Sequence, residues 1–404
     1  MMNNLRCKLI SCVAAGIIFF VGGCKENNEP FVPEEGDVKT TVLLYAVASN
    51  NLYGNLLSDK KEILKAARDI DLAHNSFYLY EVTPDEMPQM LKLTQVSPDS
   101  CAFVAVKKYT KELYSTDPER ITEVIDDMHA MQKSERYGLI LWSHGTGVDP
   151  ATSQRRVSEK GSGNPVLRSF GSDCDKDKDS GYKDETDIDE LADAIPDGLF
   201  DFIWFDACYM SGIETAYELR GKCNYLVGYP TEVFTPGMPY DLTMPYILNE
   251  NPDLCGAAKA FFNHYVQYPS SSWRVATIAV TDMSKIEQVA EYCRNAYSEM
   301  AVPDVSSLQK YTRGRIGPFY DFGQYTRLAV AGSETAPSVE EFDAMMDSFV
   351  IYKAATDVDF NYAPIRQEHY SGLSCYAYSE YDETAKGRFY RTLDWYKSVY
   401  EKAN

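Results

Sequence analysis

The sequence predicts an α/β fold with a mostly parallel central sheet covered by helices on both faces. Three observations carry that expectation. Short, almost continuous apolar runs recur along the chain, as strands buried on both faces require. Amphipathic stretches of helical period separate them. Two runs, Gly138 to Ser143 and Phe200 to Phe205, end directly before residues with chemistry to offer: His144, and Asp206-Ala207-Cys208.

Thr41 to Ala48 is the first strand. Ser58 to Asp71 reads as a helix capped by Ser58, with Ile63, Ala66, Ala67 and Ile70 as its apolar stripe. Phe77 to Val82 and Ala102 to Val106 are the next strands. Asp117-Pro118-Glu119 gives a cap, a first-turn proline and a first-turn acid, and Ile121, Val124, Ile125 and Met128 continue that helix on one face. The strands before His144 and Cys208 follow. Ser211 to Arg220 is then a helix and Tyr225 to Tyr229 a short strand. Trp273 to Thr281 and Gly372 to Tyr378 read as strands, and Ser284 to Met300, Val339 to Lys353 and the aromatic Arg388 to Tyr400 as helices.

Ahead of the first strand, Met1 to Lys8 carries Arg6 and Lys8 and no acid, and Leu9 to Val21 is almost wholly apolar. That apolar run is too short for a stable transmembrane anchor. It ends in Val21-Gly22-Gly23-Cys24, which resembles a bacterial lipobox. The resemblance implies that residues 1–23 are a lipoprotein signal peptide and that lipidated Cys24 becomes the mature N-terminus. The protein would then sit in the cell envelope, facing periplasm or exterior, and touch the membrane through its lipid alone. Residues 24–38 are polar and contain Pro30 and Pro33, so they read as a flexible tether.

The full chain has a net charge of −21, and loss of Arg6 and Lys8 with the leader takes it to −23. Such a field opposes phosphate contacts, so nucleic acid is not an expected partner. Of ten cysteines, Cys101, Cys174, Cys223, Cys255, Cys293 and Cys375 remain once Cys7, Cys12, Cys24 and Cys208 are set aside. An even number outside the cytosol allows disulfides, but the wide spacings specify no pairing. No Cys-x-x-Cys occurs, which argues against structural zinc.

In α/β sheets, sites gather at the carboxyl ends of strands, and His144 and Cys208 both sit there. A cysteine nucleophile needs a thiolate, a nearby imidazole and donors for an oxyanion. Cys208 lies between a strand and a helix predicted from Ser211, whose N-terminus would favour the thiolate. Gly145-Thr146-Gly147 after His144 lets the backbone come close to a substrate. The backbone N–H groups of Gly145 and Cys208 are therefore the candidate oxyanion hole. A cysteine at a strand end can equally be a small buried apolar residue.

The stretch Leu139-Ile140-Leu141-Trp142-Ser143-His144-Gly145-Thr146-Gly147 resembles the histidine motif of the clostripain family of cysteine peptidases, in the caspase-like clan. Phe205-Asp206-Ala207-Cys208-Tyr209-Met210-Ser211-Gly212-Ile213-Glu214 resembles its nucleophile motif, in the family's order. Tyr225 to Tyr229, Glu232 to Asp241 and Ser371 to Tyr378 add to the likeness. The resemblance implies a caspase-like α/β/α sandwich and a peptidase domain over residues 39–404. Its catalytic core would be about 39–245, with 246–404 a C-terminal extension of the same fold. It implies a hydrolase, a cysteine endopeptidase cutting proteins or peptides after Arg or Lys. Cys208 would attack the scissile carbonyl and His144 would protonate the leaving amine. Asp206 matches the family's pocket acid, with Glu232 the next candidate. Some members cut themselves between His and Cys, where this chain offers Arg155, Arg156, Lys160 and Arg168. Some relatives depend on calcium. Asp173, Asp175, Asp177 and Asp179 alternate in the same segment, but Gly181 comes one residue late for an EF-hand loop and no Glu closes it. A solvated acidic loop is the expectation, with calcium an option and no cofactor required.

No two glycines lie four apart, so the Gly-x-Ser-x-Gly elbow of an α/β-hydrolase is absent. No P-loop or His-Glu-x-x-His helix occurs. The alternative reading is a catalytically silent surface lipoprotein that uses the same fold as a binding module.

Overall fold

The structure is a computed structural model. It describes residues 37–84, 86–149, 169–174, 183–297, 304–313, 316–331, 338–379 and 381–401. Cys24, the candidate processing points Arg155, Arg156, Lys160 and Arg168, and Asp175, Asp177 and Asp179 lie outside the described residues. All described residues belong to one compact unit, assigned to 33–404.

The strands are β1 (Thr40–Val47), β2 (Asn75–Val82), β3 (Gln89–Ser97), β4 (Ser100–Lys108), β5 (Arg136–Trp142), β6 (Phe170–Cys174), β7 (Lys183–Thr186), β8 (Phe200–Asp206), β9 (Cys223–Gly228), β10 (Thr277–Asp282), β11 (Lys310–Arg313), β12 (Ile316–Asp321), β13 (Val350–Ala355) and β14 (Ser374–Cys375). The helices are α1 (Tyr53–Ala66), α2 (Pro118–Met131), α3 (Ile188–Ala194), α4 (Ile213–Glu218), α5 (Tyr240–Ile247), α6 (Leu254–Val266), α7 (Ile286–Tyr297), α8 (Phe322–Ala331), α9 (Val339–Phe349), α10 (Ala385–Tyr390) and α11 (Asp394–Val399).

Nine strands form the main sheet in the order β13-β10-β9-β8-β5-β1-β2-β3-β4. The five central strands, β9 to β2 in that order, are parallel. Antiparallel pairs extend both edges: β3 and β4 on one side, β10 and β13 on the other. The mixed α/β expectation therefore holds, with the parallel part at the centre.

β1 is buried along its whole length because its alternate side chains enter two cores. Leu43, Tyr45 and Val47 pack on the face shared with α2, α3, α4 and α7. Val42, Leu44 and Ala46 face α1, α5 and α6. Each large apolar side chain buried this way contributes about 1.5–3 kcal/mol. The frame can thus hold a strained residue at one strand end without losing its shape.

Several boundaries differ from the sequence reading. The first helix begins at Tyr53, so Ser58 is interior and its hydroxyl donates to the Gly54 carbonyl at 3.4 Å. Asn50 sets up the turn instead, its Oδ1 accepting from Leu52 N–H at 2.8 Å. The helix expected from Ser211 starts only at Ile213. Tyr209 and Ser211 donate their N–H groups to Thr231 and Tyr229 carbonyls at 3.0 and 3.1 Å, which keeps that stretch out of the helix. The helix expected over Val339 to Lys353 has a capping box at Ser338 and Glu341 but stops at Phe349. Val350 to Ala355 leaves it to pair with β10. The closing aromatic helix is two short ones, α10 and α11, and the strand expected at Gly372 to Tyr378 is only Ser374–Cys375. Cys101, Cys208, Cys223, Cys255, Cys293 and Cys375 are free thiols. Among the described residues no helix is long and apolar enough to cross a membrane.

Candidate active site

β5 and β8 run parallel, with Trp142 opposite Asp206. Two residues past the end of each strand stand His144 and Cys208, both partly exposed. Their loops are pressed together. A Cβ on Gly145 would lie 2.5 Å from the Cys208 carbonyl oxygen and 3.1 Å from the Ala207 Cβ, so only glycine fits there. Gly145 is buried, and no described residue accepts a hydrogen bond from its N–H. The neighbouring bonds, Thr146 N–H to Ser169 O and Gly171 N–H to His144 O, both at 3.0 Å, pin the histidine loop against β6.

The His144 Nε2 is 2.9 Å from Asn51 Oδ1. An amide oxygen only accepts, so Nε2–H donates to it and Nδ1 is the nitrogen left for proton exchange. Asn51 went unnoticed in the sequence. Its signal was its place at the carboxyl end of β1, the strand next to β5.

Cys208 Sγ lies 3.5 Å from the Val233 N–H and 3.7 Å from the Val233 carbonyl. An N–H aimed at sulfur stabilises negative charge on it. The helix expected to do this is displaced: α4 is six residues long and starts five residues after Cys208. Its N-terminal field falls off within a turn, so the Val233 backbone takes over that role. Tyr209 has φ of 62°, a left-handed conformation for a bulky residue. Such strain costs about 1–3 kcal/mol and is held where the surroundings over-determine it. Here Thr231 receives its N–H, and its ring lies 6.0 Å from that of Phe319.

Asp206 is buried beneath the nucleophile, 4 % exposed. Both carboxylate oxygens accept from Met238 N–H at 3.1 Å, and one also from the Tyr240 hydroxyl at 3.1 Å. Gly237 has φ of +64°, and a Cβ there would sit 2.9 Å from both oxygens. Burial pushes the Asp206 carboxyl up to about 7, against the lowering effect of Met238 and Tyr240. Its ionisable neighbours are acids. Asp59 accepts from Trp142 Nε1–H at 2.9 Å and is raised to about 9, by burial first and then by the Asp206 charge. Glu62 accepts from Tyr240 N–H at 2.9 Å and is raised by burial. Glu232 is also buried, one residue before Val233.

Asp173, which the sequence offered as a calcium candidate, is buried and accepts from Ser115 N–H at 2.7 Å, tying β6 to the loop before α2. Among the described residues, no group of three or more His, Cys, Asp or Glu side chains could hold a metal ion.

Residues 44–388 match the clostripain family. Clostripain of Hathewaya histolytica is 26 % identical over 225 residues, which cover 50 % of this chain and 41 % of that protein. The chain therefore spans less than half the length of that curated relative. An inactive zymogen C11 protease from Parabacteroides distasonis superposes with a TM-score of 0.74 at 28 % identity, over 92 % of this chain and all of the other. A secreted C11 cysteine protease from Bacteroides thetaiotaomicron, in complex with an irreversible peptide inhibitor, has the same fold: TM-score 0.74, 23 % identity, 90 % of this chain and 99 % of that one.

Proposed function

The chain belongs to the clostripain family, and from that premise we propose that it is a cysteine endopeptidase cleaving peptide bonds after Arg or Lys. The observation that carries the reading is the β5–β8 register, which supports His144 and Cys208 as a pair, with the Gly145 backbone against the Cys208 carbonyl.

The Cys208 thiol gives its proton to Nδ1 of His144, and the resulting thiolate attacks the scissile carbonyl carbon. The developing oxyanion is met by the N–H groups of Gly145 and Cys208. The C–N bond breaks as protonated His144 gives its proton to the leaving amine, which leaves a thioester on Cys208. His144 then takes a proton from water, the resulting hydroxide attacks the thioester, and the thiolate is regenerated. Asn51 holds Nε2–H throughout, so Nδ1 is the nitrogen that carries the proton. Asp206 fits the pocket acid: a buried carboxyl among acids gains from an incoming guanidinium or ammonium. Side chains and backbone complete this chemistry, so the reading requires no cofactor. Added calcium and a chelator test whether calcium acts on the chain from elsewhere.

Hydrolysis of peptides differing only in the residue before the reporter, by the chain and by its Cys208→Ala twin, tests the reading. Cleavage after Arg or Lys that is lost in the twin is expected. Cleavage after another residue would keep the peptidase and remove Asp206 from the pocket. Silence across the panel, with and without calcium and after proteolytic nicking, would favour a binding module on the same fold.

We further propose that the leader directs lipidation of Cys24 and places the protein in the cell envelope, joined to the membrane by lipid alone and acting on peptides or proteins rather than nucleic acid. Self-cleavage at Arg155, Arg156, Lys160 or Arg168 belongs to the same reading. A Cys24→Ser chain should move from the membrane fraction to the soluble one. Unchanged fractionation would argue against the anchor.

A further inference from the structure

The loop after β9 runs from the thiol to the buried acid: Val233 touches Cys208 Sγ, and Met238 N–H is held by Asp206. Between them Phe234 is half-buried and stands in an aromatic stack. Its ring lies 4.9 Å from Trp273 at 9° and 4.7 Å from Phe360 at 54°. Trp273 stacks in turn on Tyr268 at 5.3 Å. Beneath, buried Tyr265 lies 6.2 Å from Phe234 and donates its hydroxyl to the Gly237 carbonyl at 2.7 Å. Tyr362 donates to the Ser272 carbonyl at 3.0 Å, which braces the turn carrying Trp273. Phe234, Trp273 and Phe360 all keep part of their surface in solvent.

Topology puts this shelf at the same sheet edge as the thiol. Phe234 follows the carboxyl end of β9, Trp273 precedes the amino end of antiparallel β10, and Phe360 follows the carboxyl end of β13. All three segments lie on the β9 side of β8, whereas His144 follows β5 on the other side. The leaving amine must lie toward His144, because that residue protonates it. The acyl half of the substrate, on the amino-terminal side of the cut, therefore lies toward the aromatic shelf.

We propose that Phe234, Trp273 and Phe360 form a second specificity subsite, which takes an aromatic or branched aliphatic side chain from the substrate residue just before the one held at Asp206. The subsite rests on the peptidase reading above. Planar rings offer a rigid apolar surface at little conformational cost, and a side chain laid on them loses water contact that glycine cannot exploit.

The test is internal competition, by the full chain, between peptides that differ only in the residue before Arg: Leu or Phe against Gly. Competition ratios cancel the amount of active enzyme, so a partly folded variant still reports. The full chain should favour Leu or Phe by about tenfold or more, as apolar pockets typically discriminate. Trp273→Ser and, as a milder change at the rim, Phe360→Ala should each pull that ratio to about threefold or less. Equal cleavage of the two peptides, or a ratio unmoved in both variants, would overturn the subsite. So would a changed preference only for the residue after the cut. If the chain cleaves neither peptide, the peptidase reading fails, and the subsite with it.

Discussion

Asp206 carries the most information per atom. It is buried among acids, and its proton is held up to about pH 7 because burial disfavours the charge. A neutral carboxyl cannot pair with a guanidinium. The preference for an Arg peptide over its Gln counterpart, measured in competition, should therefore rise as pH climbs through about 7 in the unliganded chain. Steps common to both peptides cancel in that ratio, including proton transfer at His144. Asp206→Asn should flatten the dependence and lower the preference. A wild-type ratio constant from pH 5 to 9 would show that another residue, with Glu232 first in line, reads the cation. Asp206 was singled out in the sequence by its match to the family's motif, as a candidate pocket acid. Its partners Met238 and Tyr240 were not, because they reach it through a loop whose path depends on the positive φ of Gly237.

Among the elements, α10 is six residues long but bears on the site. Lys386, largely buried within it, forms an ion pair with buried Asp149, five residues after His144. Its ammonium also lies 4.1 Å from the Phe319 ring and 4.9 Å from that of Tyr376. Phe319 in turn contacts the strained Tyr209. One side chain near the carboxyl terminus thus braces the loops of both candidate catalytic residues. Breaking such a pair by removing one partner typically costs about 3–5 kcal/mol, because the other charge stays buried. Lys386→Met should lower the unfolding midpoint and kcat together, and Lys386→Met with Asp149→Asn should recover most of the stability. Failure of the double variant to recover would assign the loss to packing around the rings. Sequence reading could not reach this contact, since nothing local links residues so far apart. The same limit explains the displaced starts of α1 and α4. A local capping signal at Ser58 predicted the first, whereas Asn50, tied to the Ser172 carbonyl at 2.7 Å, sets the turn before α1, and the bonds of Tyr209 and Ser211 to Thr231 and Tyr229 delay α4.

Across the described residues, burial raises several carboxyls, among them Asp59 to about 9, Glu214 to about 8, and Asp206 and Glu218 to about 7. The folded state therefore binds more protons than the unfolded chain between about pH 4 and 9, and stability falls as pH rises through that window. The net charge of −21 adds self-repulsion in the same direction. The unfolding midpoint should be higher near pH 5.5 than near pH 9 by at least about 5 °C, and a flat or opposite profile in thermal melts would contradict these burials. The sequence by itself determined the alternation of buried strands and helices, the two strand ends bearing His144 and Cys208, and the glycines that follow His144. Apolar runs and turn residues are local signals, and strand ends follow from them. Only the tertiary structure decided the sheet order, the register that sets His144 beside Cys208, the Val233 backbone at the thiol, Asn51 at the imidazole and the aromatic shelf from segments flanking three separate strands. Those depend on which distant segments share a sheet edge, and that is fixed by the simultaneous burial of both sheet faces rather than by any one stretch of chain.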